Sequence, residues 1–357
     1  MQRVKTSTII DSVILSADNR WAKLLELLSE MRISKLFVLT DVNTSKHCFP
    51  FLKERLKGFD LPLLQFEIQA GEENKNLESA SRVWTQLTEA GADRNSVIIN
   101  LGGGVVTDLG GFVASTYKRG IPFIHIPTSL MGMVDAAIGG KCGIDYLQYK
   151  NHLGVFQQPA SILIEPQFLN TLNAQEIQSG TAEIMKHALI GDREAWQMMK
   201  DQEGFDWIDV NTLHRSIDFK GELTSKDPLE KGLRKSLNFG HTIGHAIESF
   251  YLNRKTPVPH GFAVAAGILC ESFLSQNHLQ LSRSEFTQIE SYILRQYKRM
   301  AFSKSDISAI LHCMKQDKKA QDGHHQFVLL KSIGEVVWDK VVEDKDIEVA
   351  LMHYIDC

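Results

Sequence analysis

The 357-residue sequence is 43% apolar and 23% charged with no biased tract, the composition of a folded globular chain, which excludes extended disorder. A formal charge of −4 removes the electrostatic case for a nucleic-acid partner, and no apolar run approaches the roughly 18–20 residues that span a bilayer, so no membrane partner is expected either. The chain is longer than one hydrophobic core comfortably fills, and two domains are expected.

The opening stretch MQRVKTSTIIDSVILSADNR is too short and interrupted in its apolar character for a secretory leader. Cys48, Cys142, Cys270, Cys313 and Cys357 are odd in number and lack C-x-x-C spacing, which argues against a disulfide framework or a thiolate zinc site and fits a reducing cytoplasm. Short apolar runs at Lys35–Asp41, Ser96–Leu101, Phe123–Pro127 and Ser161–Ile164 predict buried strands. Amphipathic stretches such as Leu77–Ala90 separate them, and the alternation predicts a parallel sheet flanked by helices. After about Leu172 helical patterns take over, in Ala174–Ile190, Lys235–Phe250 and Phe262–Gln276, with Gln326–Leu330 as a late strand. The expected organisation is an α/β, Rossmann-like parallel-sheet domain over residues 1–172 and a mainly helical domain over residues 173–357, packed around a shared cleft.

Several constellations carry chemistry. Strand Ser96–Leu101 runs into Gly102-Gly103-Gly104, and a helical pattern starts near Val105 with Asp108 in its first turns. Glycines there let a pyrophosphate approach the backbone, and the helix start favours its charge, although the spacing is not G-x-G-x-x-G. Asp41 closes a strand, where it would accept from ribose hydroxyls or, more commonly, cap a turn; Thr128-Ser129 offers hydroxyls after another strand. Glu72-x-x-Lys75 reads as a cofactor contact or as a solvated pair contributing under about 1 kcal/mol. Glu183 and Lys186 share a helical face, as do His241 and His245, and His260 follows a Pro-containing loop. One carboxylate with two imidazoles is a three-ligand set for a catalytic zinc; spacing favours His241 with His245 and leaves His260 open. His324-His325 beside Gly323 reads as an exposed turn, and His47, His278 and His353 carry no pattern. Arg119, Lys141, Lys150-Asn151, Lys186, Lys220, Arg234 and Lys318-Lys319 gather beside these glycines and histidines, which points to a substrate with more than one anionic group.

In order and spacing, GEENK (71–75), GGGVVTDLGGFVASTYKRG (102–120), VDAAIGGK (134–141), Lys150-Asn151, AEIMKH (182–187), Arg234-x-x-x-Asn238-Phe-Gly-His241-Thr-x-x-Gly-His245, His260-Gly261 and Asp317-Lys318-Lys319 resemble the 3-dehydroquinate synthase family over nearly the whole chain. The resemblance implies a homodimeric enzyme that uses NAD and zinc, or cobalt, to convert 3-deoxy-D-arabino-heptulosonate 7-phosphate to 3-dehydroquinate and phosphate. The implied sequence is transient oxidation at C5, phosphate elimination, re-reduction and aldol closure, with the substrate phosphate itself as a base. It also implies zinc on Glu183, His241 and His260, with His245 kept for substrate, against the choice made from spacing. Implied cofactor contacts are Asp41, Glu72, Lys75, Gly103, Gly104, Asp108, Thr128, Ser129, Lys150, Phe168 and Thr171. Implied substrate and catalytic contacts are Asp135, Lys141, Asn151, Lys186, Lys220, Arg234, Asn238 and Lys318 or Lys319, with Arg119 reaching across the dimer. Cys142, Tyr149 and Ser129 depart from the family pattern, where Thr, Gly and Thr are usual. The competing readings are a sugar phosphate cyclase for a substrate without a carboxylate, in which Arg234, Lys220 and Asn238 would have no purpose, and a metal-dependent polyol dehydrogenase, which would release NADH.

Overall fold

A computed structural model describes residues 13–14, 19–147, 149–316, 320–321 and 324–357. The chain forms two compact units: the first runs to Asn173 and also takes in Lys220–Leu229, and the second comprises Ala174–Phe219 and Glu230–Cys357.

The first unit is built on a parallel sheet. In chain order its strands are β1 (Val13–Ile14), β2 (Leu36–Asp41), β3 (Leu63–Ile68), β4 (Val97–Gly102) and β5 (Phe123–Pro127); a hairpin of β6 (Lys141–Tyr146) and β7 (Tyr149–Phe156) follows, and β8 (Ser161–Leu163) returns to the sheet. The sheet order is β1-β8-β5-β4-β2-β3, all pairs parallel. β2, β4 and β5 are almost wholly buried, as continuous apolar runs between two helical layers must be. β3 does not stand out in the sequence because it is the sheet edge, with Gln65 and Glu67 breaking the apolar run. The chain leaves β2 outward to β3 and then crosses back to β4 on the other side of β2, which is the switch point beside which doubly wound sheets open their ligand crevice. Helix Leu77–Glu89 agrees with its predicted span, and its Val83 and Leu87 join Val106, Leu109 and Val113 of helix Gly104–Thr116 in one core.

The β6–β7 hairpin packs on helix Gly104–Thr116 through Cys142 and Ile144. A Cβ on Gly111 would lie 2.3 Å from the Cys142 sulfur, so the glycine is what admits that side chain. On the helix's other contact, β4 Asn100 donates from Nδ2 to Nδ1 of β5 His125 at 3.2 Å. An amide nitrogen only donates, so His125 is neutral with its proton on Nε2, and burial pushes it down to about 3. A folded-state pKa below the ordinary 6.5 means the unfolded chain takes up the proton first. Stability is therefore lost as pH falls below about 6.5, by up to about 1.4 kcal/mol per pH unit. His125→Gln is expected to flatten the pH dependence of the urea midpoint between pH 7 and 5; an unchanged slope would locate the acid lability elsewhere.

The second unit is mainly helical: Ala174–Gly191, Arg193–Met199, His241–Asn253, His260–Leu279, Arg283–Gln296, Ile307–Gln316 and Asp344–Asp356. A small antiparallel sheet joins them, of β9 (Ala320–Gln321), β10 (His324–Ser332) and β11 (Glu335–Val342) in the order β11-β10-β9. Two expectations are corrected. The single helix over Lys235–Phe250 is instead a 3-10 turn, Leu233–Asn238, and a helix starting at His241, because Gly240 takes φ 78 between them. His324-His325 is not an exposed turn: both residues lie in β10, and His325 is 5% exposed.

Helices His241–Asn253 and His260–Leu279 touch through backbone. A Cβ on Gly267 would meet the Gly240 carbonyl at 2.0 Å and the Gly244 nitrogen at 2.7 Å. From the same helix, buried Glu271 accepts from Gly240 N–H at 2.6 Å and Ile243 N–H at 3.1 Å, capping the helix start that has no cap of its own.

Candidate active site

At the carboxyl ends of the sheet of the first unit, strand pairing sets Gly102 against Pro127, with Thr128 N–H donating to Gly102 O at 3.0 Å. The β2–β4 register carries Asp41 alongside the same edge. Gly103 precedes helix Gly104–Thr116, and a Cβ on Gly103 or Gly104 would come within 3.2 Å of Ser129 Oγ or 3.3 Å of Ala136 Cβ. The loop after β5 thus closes on the glycines, leaving a helix start without a side-chain cap beside bare backbone, a cradle for a phosphate group. Asp41 does cap: Oδ1 accepts from Asn43 N–H and Thr44 N–H, both at 2.8 Å. Ser129 Oγ accepts from Gly132 N–H at 3.1 Å, so the serine holds the turn that follows. Phe168 is buried edge-on against Phe51, and Thr171 donates to the Phe168 carbonyl at 2.7 Å.

Glu72 and Lys75 are more than a surface pair. Lys75 is 3% exposed, and its Nζ lies 2.7 Å from Glu72, 3.3 Å from Asp108 and 3.8 Å from Asp145. Burial alone would lower the Lys75 pKa, but the three carboxylates outweigh it and raise it. Burial pushes Asp108 up to about 6, with Lys75 restraining the rise. Lys150 Nζ reaches Glu72 at 3.9 Å, and Asn151, at φ 50, donates its N–H to Asp145 at 2.7 Å, so hairpin and lysine hub are tied together. Lys75→Met is expected to destabilise the first unit by about 3–5 kcal/mol by stranding buried charge. Urea denaturation followed by Trp84 fluorescence reads this, and a loss under about 1 kcal/mol would demote the hub to a solvated pair.

Asp135 sits in a π-helical turn and receives Lys220 Nζ on both its carboxylate, at 2.6 Å, and its carbonyl, at 2.5 Å. Lys141 opens β6 on the surface, and Arg119 is exposed at φ 71. Lys318 and Lys319 lie outside the described residues.

In the second unit, Glu183 and Lys186 are buried one turn apart, with Lys186 Nζ on Glu183 Oε2. The other oxygen, Oε1, is buried with no hydrogen-bond partner among the described residues, and lies 3.5 Å from His241 Nε2 and 3.9 Å from His260 Nε2. His241 Nδ1 donates to the Phe239 carbonyl at 3.1 Å, and His260 Nδ1 to Glu248 at 3.3 Å. In the neutral rings both Nε2 atoms are therefore lone pairs turned on a carboxylate oxygen, acceptors facing an acceptor. A divalent cation resolves that arrangement: ligands at about 2.0–2.1 Å in a tetrahedron stand about 3.4 Å apart. The outward hydrogen bonds of both rings are the orientation that metal-bound histidines need. His245 is close as well, its ring centroid 5.2 Å from His241 and 5.6 Å from His260. Just before this helix, Arg234 is 2% exposed and Asn238 Nδ2 donates to Glu230 at 2.7 Å.

The chain matches family models described as 3-dehydroquinate synthase N-terminal over residues 65–179 and C-terminal over residues 180–320. The chain belongs to the 3-dehydroquinate synthase family. It is 41% identical to the 3-dehydroquinate synthase of Parabacteroides distasonis over 93% of its length and 95% of the relative's, and 36% identical to that of Streptococcus mutans over 93% of both. Among solved structures it is similar to a 2-epi-5-epi-valiolone synthase from Streptomyces hygroscopicus with NAD+ and Zn2+ bound (TM-score 0.83, 26% identity, 100% of this chain and 98% of that one). It shares its fold with a 2-deoxy-scyllo-inosose synthase complexed with carbaglucose-6-phosphate, NAD+ and Co2+ (TM-score 0.81, 21% identity, 92% and 94%). The family is one of enzymes, and the fold class expected from the sequence is that of these synthases.

Asp145, Glu230, Glu248 and Glu271 bind site residues without standing out in the sequence. Glu248 had a signal: it lies seven residues from His241 and three from His245, on their helical face. Asp145 and Glu230 reach Asn151 and Asn238 six and eight residues along the chain, at no regular helical spacing, and Glu271 acts across a tertiary contact.

Proposed function

We propose that the protein binds NAD on residues 1–172 and a divalent cation, zinc or cobalt, on residues 173–357, and converts 3-deoxy-D-arabino-heptulosonate 7-phosphate to 3-dehydroquinate and phosphate in the cytoplasm. The observation that carries this reading is the buried Glu183 Oε1, without a hydrogen-bond partner among the described residues and facing Nε2 of His241 and His260. When bound, NAD supplies reversible hydride transfer and the cation polarises the substrate hydroxyl.

The chain's own residues do the holding. Glu183, His241 and His260 are the cation ligands, and His245 is left to hydrogen-bond substrate. The buried Arg234 guanidinium takes the substrate carboxylate as a fork, with Asn238 aimed by Glu230 beside it. These two support an acid substrate over sugar phosphates that lack the carboxylate. Lys186, Lys141, Asn151 and Lys318 supply positive charge and donors for carboxylate and phosphate, and Lys220, clamped by Asp135, fixes the turn carrying that aspartate. Asp41, Glu72, Lys75, Gly103, Gly104, Asp108, Thr128, Ser129, Lys150, Phe168 and Thr171 form the dinucleotide side. Holding the phosphate so that its own oxygen reaches the acidified C–H removes the need for a separate protein base. The enzyme is read as a homodimer in which Arg119 completes the neighbouring subunit's site, a state that analytical ultracentrifugation would identify.

Phosphate release from the heptulosonate phosphate is expected with substoichiometric NAD, with no net NADH, and to stop on dialysis against chelator until zinc or cobalt is restored. Turnover that persists without metal, or NADH accumulating one for one with product, would contradict the assignment.

A further inference from the structure

We propose a second divalent-metal site, apart from the catalytic constellation, formed by Glu290, His353 and Cys357. One ligand atom from each of these residues lies within 4.8 Å of the other two. Glu290 projects from helix Arg283–Gln296, while His353 and Cys357 are four residues apart at the end of helix Asp344–Asp356. Cys357 N–H donates to His353 O at 2.9 Å, so helical register continues to the cysteine and puts both side chains on one face.

The imidazole is set before any ion arrives. Its ring stacks on Phe273 at 4.5 Å with planes 21° apart and leans on Phe286 at 5.6 Å, while Nε2 meets Glu290 Oε1 at 2.7 Å. The Cys357 sulfur donates to the Tyr354 carbonyl at 3.4 Å, and burial raises its pKa against the opposing pull of Arg299, so without a cation it stays a thiol. An incoming ion forms the metal–sulfur bond as the S–H proton leaves to solvent, and binds the Nε2 lone pair once the Nε2–H proton that serves Glu290 has exchanged through solvent and the neutral ring carries its proton on Nδ1 instead. Carboxylate, imidazole and thiolate suit zinc and its neighbours in the first transition row, and a single oxygen donor is poor for magnesium or calcium. His353 and Glu290 are about a quarter exposed, which leaves water the fourth position. Bound there, the ion would staple helix Asp344–Asp356 to helix Arg283–Gln296.

Cobalt separates the two sites, because the catalytic set of Glu183, His241 and His260 contains no sulfur. Titration of the metal-free full chain with Co2+ is expected to reach two ions per chain and to develop a near-ultraviolet thiolate-to-cobalt charge-transfer band. Cys357→Ser should remove the band and one ion while leaving phosphate release unchanged, and Glu290→Gln should weaken that ion on the order of tenfold or more. In the unaltered protein, Zn2+ should shield Cys357 from maleimide, read by peptide mass. Absence of the band at saturation, a band that survives Cys357→Ser, or labelling indifferent to Zn2+ would each overturn the site.

Discussion

His260→Ala is expected to leave the protein without its catalytic metal, whereas His245→Ala keeps it. The ground is the direction of three atoms: Nε2 of His241 and of His260 converge on Glu183 Oε1, and each ring is fixed from behind by Phe239 O or Glu248. Removing one of three ligands from a site with one open position should lower affinity by orders of magnitude, and turnover with it. His245→Ala should instead lower kcat, on the order of 100-fold, at unchanged metal content. Glu248→Gln lies between, with metal affinity weakened about 10–100-fold through loss of the partner that orients His260. Elemental analysis after dialysis, with Cys357 replaced so that only one class of site is counted, reads all three. Metal retained by His260→Ala and lost by His245→Ala would reinstate the pair chosen by helical spacing.

Arg234→Ala should raise KM and cut kcat/KM for the heptulosonate phosphate by about 10²- to 10³-fold. A buried guanidinium that pairs with a substrate carboxylate leaves that anion desolvated and unmatched when it is truncated, a loss on the order of 3–4 kcal/mol. Arg234→Lys restores charge but not the fork, and recovery should be partial. The discriminating measurement is binding of sedoheptulose 7-phosphate, which lacks the carboxylate: its affinity should be indifferent to the change at Arg234. Equal losses for both sugars would move Arg234 to the phosphate.

The interior strands were legible because burial on both faces demands unbroken apolar runs, as in β2, β4 and β5. β3 and the β6–β7 hairpin were not, since an edge strand carries Gln65 and Glu67, and Lys141, Lys150 and Asn151 look like loop residues while standing in paired strands. Gly240 was visible, but its left-handed turn, which divides one predicted helix into two elements, was not. In the site, spacing could put Glu183 with Lys186 and His241 with His245, each pair on its own helix. The approach of His260 and Glu183 to His241 is tertiary: Gly267 lets the helix of His260 close on that of His241, and Gly261, where a Cβ would meet the Ser179 carbonyl at 1.9 Å, lets the helix of Glu183 come up against them, and only the family resemblance anticipated it. The Lys75 hub shows the same limit: Glu72 is three residues away, but Asp108 and Asp145 arrive from a helix and a hairpin.

The backbone contact of Gly267 with Gly240 and Gly244 ties two properties that enzymes usually vary separately. Any bulk at position 267 would wedge apart the helices that begin with His241 and His260, so a packing defect would surface as a chelation defect. Heating should act the same way: ion release and loss of this helix pair become one event, and free zinc in the medium should raise the temperature at which it happens.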